Sequence, residues 1–250
     1  VRRVGGGSAY GEAIRSSGPV PFRPGKFEDR YMHYTGGTTG MPKGVMYENG
    51  ALAHWLSIGG VTSRGLAPPR SVDDLIEAAR AITAMDKVHR SLPACPQMHG
   101  TGMWIGTMVA LNCGGTVVTQ RTSHLDADAL IQCVIDNQVT DLTIVGDAFA
   151  RPILAALDAA QDAGTPYDLS RVGQIASSGV MWSSEIKEGL LRHHDMILND
   201  IMGSTEGSMG GSISTRDGAA KTAKFMVADY VKVLNEDDEP VKPGSGEMGM

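Results

Sequence analysis

From Lys87 to Asp200 the chain alternates strand-like and helix-like segments, and that alternation limits the fold more than any other feature. Runs rich in Val, Ile, Leu and Thr predict strands at Lys87–Leu92, Gly115–Thr119, Asp141–Val145, Val172–Ala176 and Met196–Asp200. Apolar residues at helical spacing predict helices between them, at Gly102–Leu111, Asp126–Asn137, Asp147–Ala163 and Ser183–His193. In Asp126–Asn137, for example, Leu130, Ile131, Val134 and Ile135 share an inward face. Strands that alternate with helices of about 10–15 residues imply crossover connections, hence an α/β fold with mainly parallel sheets and flanking helices. After Gly203 the rhythm changes. Short segments such as Tyr230–Leu234, broken by Asn235-Glu236-Asp237-Asp238 and Pro240, predict some antiparallel strands near the C-terminal end.

Ahead of the alternation, residues 5–29 are rich in Gly, Pro and Ser with no steady period, so 1–29 reads as a loop-rich lead-in. Arg30–Thr35 and Gly44–Tyr47 read as strands. Helices are expected at Asn49–Ile58, capped by Asn49 and stopped by Gly59-Gly60, and at Val72–Met85, with a loop around Pro68-Pro69 between them.

The segment joining the first two strands, Tyr34-Thr35-Gly36-Gly37-Thr38-Thr39-Gly40-Met41-Pro42-Lys43-Gly44, has the chemistry needed to hold a polyphosphate. Glycines let backbone amides approach an anion, threonine hydroxyls add donors, and Lys43 adds a point charge that can follow a departing phosphate. The pattern is not G-x-x-x-x-G-K-[ST]. Pro42 precedes the lysine, Gly44 follows it, and Val45-Met46-Tyr47 reads as strand where a phosphotransferase of that kind needs a helix.

Other polar clusters follow predicted strands, and in parallel α/β sheets ligands bind outside the carboxyl ends of strands. Asp200-Ile201-Met202-Gly203-Ser204-Thr205-Glu206-Gly207 offers a hydroxyl donor at Thr205 and a hard oxygen ligand for Mg²⁺ at Glu206. Ala176-Ser177-Ser178-Gly179-Val180 is small enough for a flat ring to lie against the backbone; the same stretch also reads as a helix start capped by Ser183 with Trp182 in the core. Cys95-Pro96-Gln97-Met98-His99-Gly100-Thr101-Gly102-Met103-Trp104 places His99 where it can face a carboxylate, or serve as a structural hydrogen bonder. His193-His194-Asp195 is discounted as a metal site, because neighbouring helix positions point apart.

The bulk properties exclude several classes. A chain of 250 residues, 42% hydrophobic, can bury a large core as one domain or two. A net charge of −6 argues against non-specific nucleic-acid binding. No apolar run approaches the ~20 residues of a membrane span, and the opening Val1-Arg2-Arg3-Val4-Gly5-Gly6-Gly7 does not read as a secretory signal. Cys95, Cys113 and Cys133 are odd in number and form no C-x-x-C pair, which fits a reducing cytoplasm.

Taken together and in this order, the motifs resemble those of the adenylate-forming superfamily, in particular its acyl-CoA synthetases and fatty-acid–CoA ligases, over residues 34–206, with a further motif beginning at Gly246-Glu247-Met248. The resemblance implies the fold of that superfamily's large domain. It implies that Thr35, Gly36, Gly37, Thr38, Thr39, Gly40 and Lys43 hold the β- and γ-phosphates of ATP, that Ser178, Gly179 and Val180 flank the adenine, and that Asp200 contacts its amino group. Met202, Gly203 and Ser204 complete the nucleotide site, Thr205 contacts the α-phosphate, and Glu206 binds Mg²⁺. His99 sits between the acyl carboxylate and the α-phosphate. Met98, His99, Gly100, Met103, Trp104 and Val180 form the acyl pocket. Lys43, His99, Thr205 and Glu206 are the implied catalytic set. Met202 stands where the superfamily usually has an aromatic ring on the adenine.

The implied reaction joins a carboxylic acid to coenzyme A through an acyl-adenylate, using ATP and Mg²⁺. The apolar pocket wall, with no cation placed for a second acid group, suggests a medium- or long-chain fatty acid or a bulky steroid-type acid. The alternatives are a carrier-protein thiol in place of CoA, and a non-catalytic module that binds a nucleotide or a partner; a homodimer is compatible with either. A start on valine, and an end at Pro243-Gly244-Ser245-Gly246-Glu247-Met248-Gly249-Met250 that reads as a turn entering a strand, suggest a chain cut within a domain. Residues 30–250 are then a partial AMP-binding large domain, without the small C-terminal domain, and inactive alone.

Overall fold

The computed structural model describes residues 9–19, 21, 23–36, 41–122, 124–218, 224–227, 231–242 and 244–247. Its centre is a seven-stranded sheet in the order β4-β3-β5-β6-β7-β8-β9. Strands β3 (Arg90–Pro93), β4 (Thr116–Val117), β5 (Asp141–Ile144), β6 (Gln174–Ser178) and β7 (Ile197–Ser204) pair in parallel. Strands β8 (Gly207–Ser214) and β9 (Met226–Val227) extend the sheet antiparallel. Apart from it, β1 (Arg30–Thr35) and β2 (Lys43–Glu48) form an antiparallel hairpin with Thr35 opposite Lys43.

The expected α/β architecture is therefore present, and its parallel part follows from the crossover helices. Helices α5 (Ala127–Asp136), α6 (Gly146–Asp162) and α7 (Ser184–His193) carry the apolar faces read from the sequence. Leu130, Ile131, Val134, Ile153, Leu157, Ile186 and Leu190 pack onto Leu92, Leu142, Ile144, Ile175 and Leu198 of the sheet. Because strand side chains alternate, the residues between those positions face the other way. They are Ser91, Asp141, Thr143, Gln174, Ala176 and Asn199, small or polar rather than large and apolar. Over that second face lies a π-helix (Thr101–Met108), which runs directly into α4 (Val109–Asn112), and it is tied to β3 where Ser91 Oγ donates to the Gly106 carbonyl at 2.6 Å.

Several boundaries differ from the sequence expectation. The lead-in contains a helix, α1 (Ala9–Ser16). Helix α2 (Asn49–Thr62) passes through Gly59-Gly60, and the position before its first turn is Glu48, with no side-chain cap bond. Gly60 is a packing contact: a Cβ there would lie 2.4 Å from Cys113 Sγ. Helix α3 (Val72–Ala84) is capped by Ser71, which accepts from the Asp74 amide at 3.1 Å. Of the strand expected at Tyr230–Leu234, Tyr230 lies outside the described residues, and among the others Leu234 makes an isolated bridge to Pro240. No helix among the described residues is long and apolar enough to cross a membrane.

Candidate active site

The carboxyl ends of β3, β5, β6 and β7 open onto one edge of the sheet, and a cavity of about 660 Å³ lies there. Of the sequence-predicted residues, Thr35, Gly36, His99, Gly100, Trp104, Ser178, Gly179, Gly203, Ser204 and Thr205 line it. These positions span most of the chain: His99, Gly100, Trp104, Ser178, Gly179, Gly203, Ser204 and Thr205 lie at or beyond the carboxyl ends of parallel strands, and Thr35 and Gly36 come from the separate hairpin. Gly37, Thr38, Thr39 and Gly40 lie outside the described residues.

The hairpin is fastened to the sheet by its own side chains. Tyr47 Oη donates to the Thr205 carbonyl at 2.7 Å, which joins β2 to the turn between β7 and β8. Tyr31, His33 and Tyr47 surround the Trp104 indole of the π-helix, with ring centroids 6.4, 5.1 and 5.5 Å from it. Trp104 Nε1 donates to Tyr31 Oη at 3.3 Å. Burial, and then the nearby His99, lower the His33 pKa, so that ring is held towards its neutral form.

Lys43 and Glu206 lie outside the cavity lining; Lys43 pairs with Thr35 across the hairpin and Glu206 follows Thr205, and both of those neighbours line it. Glu206 is exposed, and its carboxyl pKa is lowered chiefly by the Ser204 hydroxyl, with a smaller contribution from the charge of Lys43. Tyr47 is pushed the other way, by burial and by Glu206. Among the described residues no cluster of His, Cys, Asp and Glu could hold a metal unaided. Glu206 still fits Mg²⁺, which is commonly bound by one or two carboxylates together with substrate phosphates.

A second, shallower hollow of about 260 Å³ adjoins the first through Gly179, Ile201 and Gly203, and Val180, Asp200 and Met202 line it. Gly179 makes the turn between the two with φ 99°, a region that favours glycine. Phe225 also lines this hollow, a residue the sequence reading passed over because it belongs to no motif. Asp200 is buried, and one of its oxygens is taken by Lys187 of α7.

The residues expected to form the acyl pocket are not all brought together. Met98 is 74% exposed and lines neither hollow. Met103 packs beside Leu52, Leu56 and Trp104 instead of facing the cavity. Val180, 51% exposed, belongs to the smaller hollow. The apolar wall comes from Leu52 and Trp55 of α2 with Trp104 and Ile105 of the π-helix. Close approach of that helix depends on Gly102, where a Cβ would lie 2.5 Å from the Pro96 carbonyl oxygen. Cys95 lines the cavity too, but burial pushes its thiol up to about 11, so it is a packing group and not a nucleophile. Ser183 precedes α7 as expected without capping it; its amide and hydroxyl both donate to Asp147 Oδ1, at 2.9 and 3.1 Å.

A mainly parallel sheet with a Gly/Thr/Lys hairpin over the carboxyl ends of its strands is the arrangement of an adenylate-forming domain. The chain belongs to the AMP-binding enzyme family, whose model matches residues 11–249. It is 35% identical over 251 residues to a medium/long-chain-fatty-acid–CoA/3-oxocholest-4-en-26-oate–CoA ligase of Mycolicibacterium smegmatis, covering 99% of this chain and 44% of that protein. A 3-oxocholest-4-en-26-oate–CoA ligase of Rhodococcus rhodochrous is 33% identical over 255 residues, covering 98% and 44%. The chain thus spans under half the length of these curated relatives. The crystal structure of an anthranilate CoA ligase in complex with anthranoyl-AMP shares the fold, with a TM-score of 0.65 at 15% identity over 86% of this chain and 38% of that one.

Proposed function

We propose that this chain belongs to the large domain of an ATP-dependent, AMP-forming acid–CoA ligase that activates a hydrophobic carboxylic acid. The observation that carries this reading is the convergence of the phosphate hairpin, His99 and the Gly203–Thr205 turn on one cavity whose remaining wall is apolar.

The substrate carboxylate attacks the α-phosphorus of ATP, and the bond to the pyrophosphate oxygen breaks. The protein contributes positioning and charge stabilisation and no covalent bond. Lys43, at the hairpin end, stabilises the charge on the leaving pyrophosphate. Thr205 donates to the α-phosphate, and its loop is steadied by Tyr47. Glu206, held ionised, supplies the carboxylate for Mg²⁺, which offsets phosphate charge when bound. His99 orients the incoming carboxylate. A thiol, coenzyme A in this reading, then attacks the acyl carbonyl and AMP leaves.

Leu52, Trp55, Trp104 and Ile105 suit an acyl group of fatty or steroid-like character. Pyrophosphate release by the full-length protein, with Mg-ATP and a panel of acids, tests the proposal. Release should depend on the acid and fall at least about a hundredfold in Lys43→Ala and Glu206→Ala. ATP binding without release for any acid would instead indicate a non-catalytic nucleotide-binding module.

A further inference from the structure

The main cavity continues inward. A further hollow of about 270 Å³ shares Trp55, Ile105, Ile201 and Ser208 with it and lies against the polar face of the sheet, under α2 and the π-helix. Its floor holds Asp141, Gln174 and Asn199, on the neighbouring strands β5, β6 and β7.

The charges of this floor are already matched. Asp141 Oδ2 takes hydrogen bonds from Arg64 and Thr140 and lies 3.2 Å from His89 Nδ1. Arg64 is further engaged by its Nε at the Lys87 carbonyl, 2.9 Å away. The other Asp141 oxygen accepts from Gln174 Nε2 at 2.7 Å. A carboxylate can only accept, so this bond fixes the orientation of the Gln174 amide and turns Oε1 away as an acceptor. No hydrogen bond among the described residues occupies Gln174 Oε1 or the Asn199 amide. Ala176 lies opposite Asn199, and Gln174 is two residues before Ala176 on β6, so both amides are on one face. Both side chains are half-buried, so water reaches their free amide atoms, and an acyl end that displaces that water without replacing its hydrogen bonds loses affinity.

We propose that this inner hollow reads the far end of the acyl substrate, and that the preferred acid carries a neutral hydroxyl there, donating to Gln174 Oε1 and accepting from Asn199 Nδ2. The inference rests on the ligase reading and adds to it a substrate class. A ketone could use only the Asn199 donor. A terminal methyl would leave both amides unpaired. A second carboxylate would meet Asp141, whose arginine is already committed.

The test is kcat/KM for pyrophosphate release by the full-length protein, for acids of matched length ending in methyl, ketone, hydroxyl or carboxylate, across a series of lengths. At the optimal length the hydroxy acid should exceed the methyl acid by about tenfold, as expected for well-made hydrogen bonds, with the ketone between them and the diacid lowest. Asn199→Leu should bring the hydroxyl-to-methyl ratio close to one, and Asn199→Ser should reduce it in part. The wild-type comparison needs no variant. Methyl acids equal to or better than hydroxy acids at every length would overturn this inference and leave the ligase intact. An unchanged ratio in Asn199→Leu would overturn it too. Absence of release with every acid would overturn both readings.

Discussion

Lys187 Nζ donates to Asp200 Oδ2 at 2.7 Å between α7 and β7, with the lysine side chain 0% and the aspartate side chain 5% exposed. The ammonium also lies 5.3 Å from the centroid of the Trp182 ring. Asp200 lines the smaller hollow beside the main cavity, so a buried cation on a crossover helix sets the position of a carboxylate there. The two residues are thirteen positions apart on consecutive elements, and a helix–strand register brings them together.

Removing one partner of a buried pair leaves an uncompensated charge, which typically costs about 3–5 kcal/mol. Lys187→Met should therefore destabilise the full-length protein by that amount in urea unfolding. Lys187→Met with Asp200→Asn should recover more than half of the loss, since no charge is then left alone. A Lys187→Met protein as stable as the parent would show that the pair holds nothing together.

Tyr47 supplies a second long-range tie. Its bond to the Thr205 carbonyl spans 158 residues of chain and fixes the hairpin against the turn that would contact the α-phosphate. Tyr47→Phe keeps the ring beside Trp104 and deletes the bond. A neutral hydrogen bond contributes about 1 kcal/mol to stability, so unfolding should shift little. Misplacement of the turn should lower kcat for adenylate formation about tenfold while leaving the KM for the acid nearly constant. Equal kcat in the two proteins would remove the tie from the mechanism.

Much of this arrangement was legible in the sequence. Periodicity located the strands and crossover helices because their inner faces are continuous and apolar, and strand topology then gathered the motifs onto one edge. What escaped depended on contacts between distant segments. His33 enters the site through the hairpin and Trp104, and no local pattern marks it. Gly59-Gly60 reads as a helix stop, but α2 runs through it, and Gly60 serves instead to make room for Cys113. Met98 and Met103 are close to His99 in sequence, but Met98 is exposed ahead of the π-helix and Met103, within it, packs beside Leu52 and Leu56. The sequence does not distinguish that π-helix, since the apolar positions Met103, Trp104, Ile105 and Met108 fit either helical period. Arg64, His89 and Asp141 form one cluster across three separate segments, and spacing along the chain says nothing of it.

Met202 and Phe225 line the same hollow, so an aromatic ring is present even though the motif position is methionine. Stacking of a base on an aromatic face contributes about 1–3 kcal/mol by alanine substitution. Phe225→Ala should thus raise the KM for ATP about tenfold or more, and Met202→Ala should raise it less. Met202→Tyr in the Phe225→Ala background should restore part of the affinity. If Phe225→Ala leaves the KM for ATP unchanged, the methionine alone covers the base.

The cluster beneath the inner hollow predicts an acid transition. Burial alone would raise the Asp141 pKa, but the His89 hydrogen bond and the Arg64 charge outweigh it and bring the group from 3.8 down to about 2. Because the folded-state value lies below the unfolded one, the carboxylate stabilises the fold fully at pH above about 4 and loses that contribution as pH falls towards 2. A shift of this size corresponds to about 2 kcal/mol. Asp141→Asn should abolish this part of the pH dependence. It should also cost about 3–5 kcal/mol at neutral pH, because Arg64 stays buried without its counter-ion. Urea unfolding of both proteins from pH 7 down to the acid limit of folding checks the two effects together. Parallel stability curves below pH 4 would mean that Asp141 does not carry the transition, whereas curves that converge as the pH falls would assign it to this carboxylate.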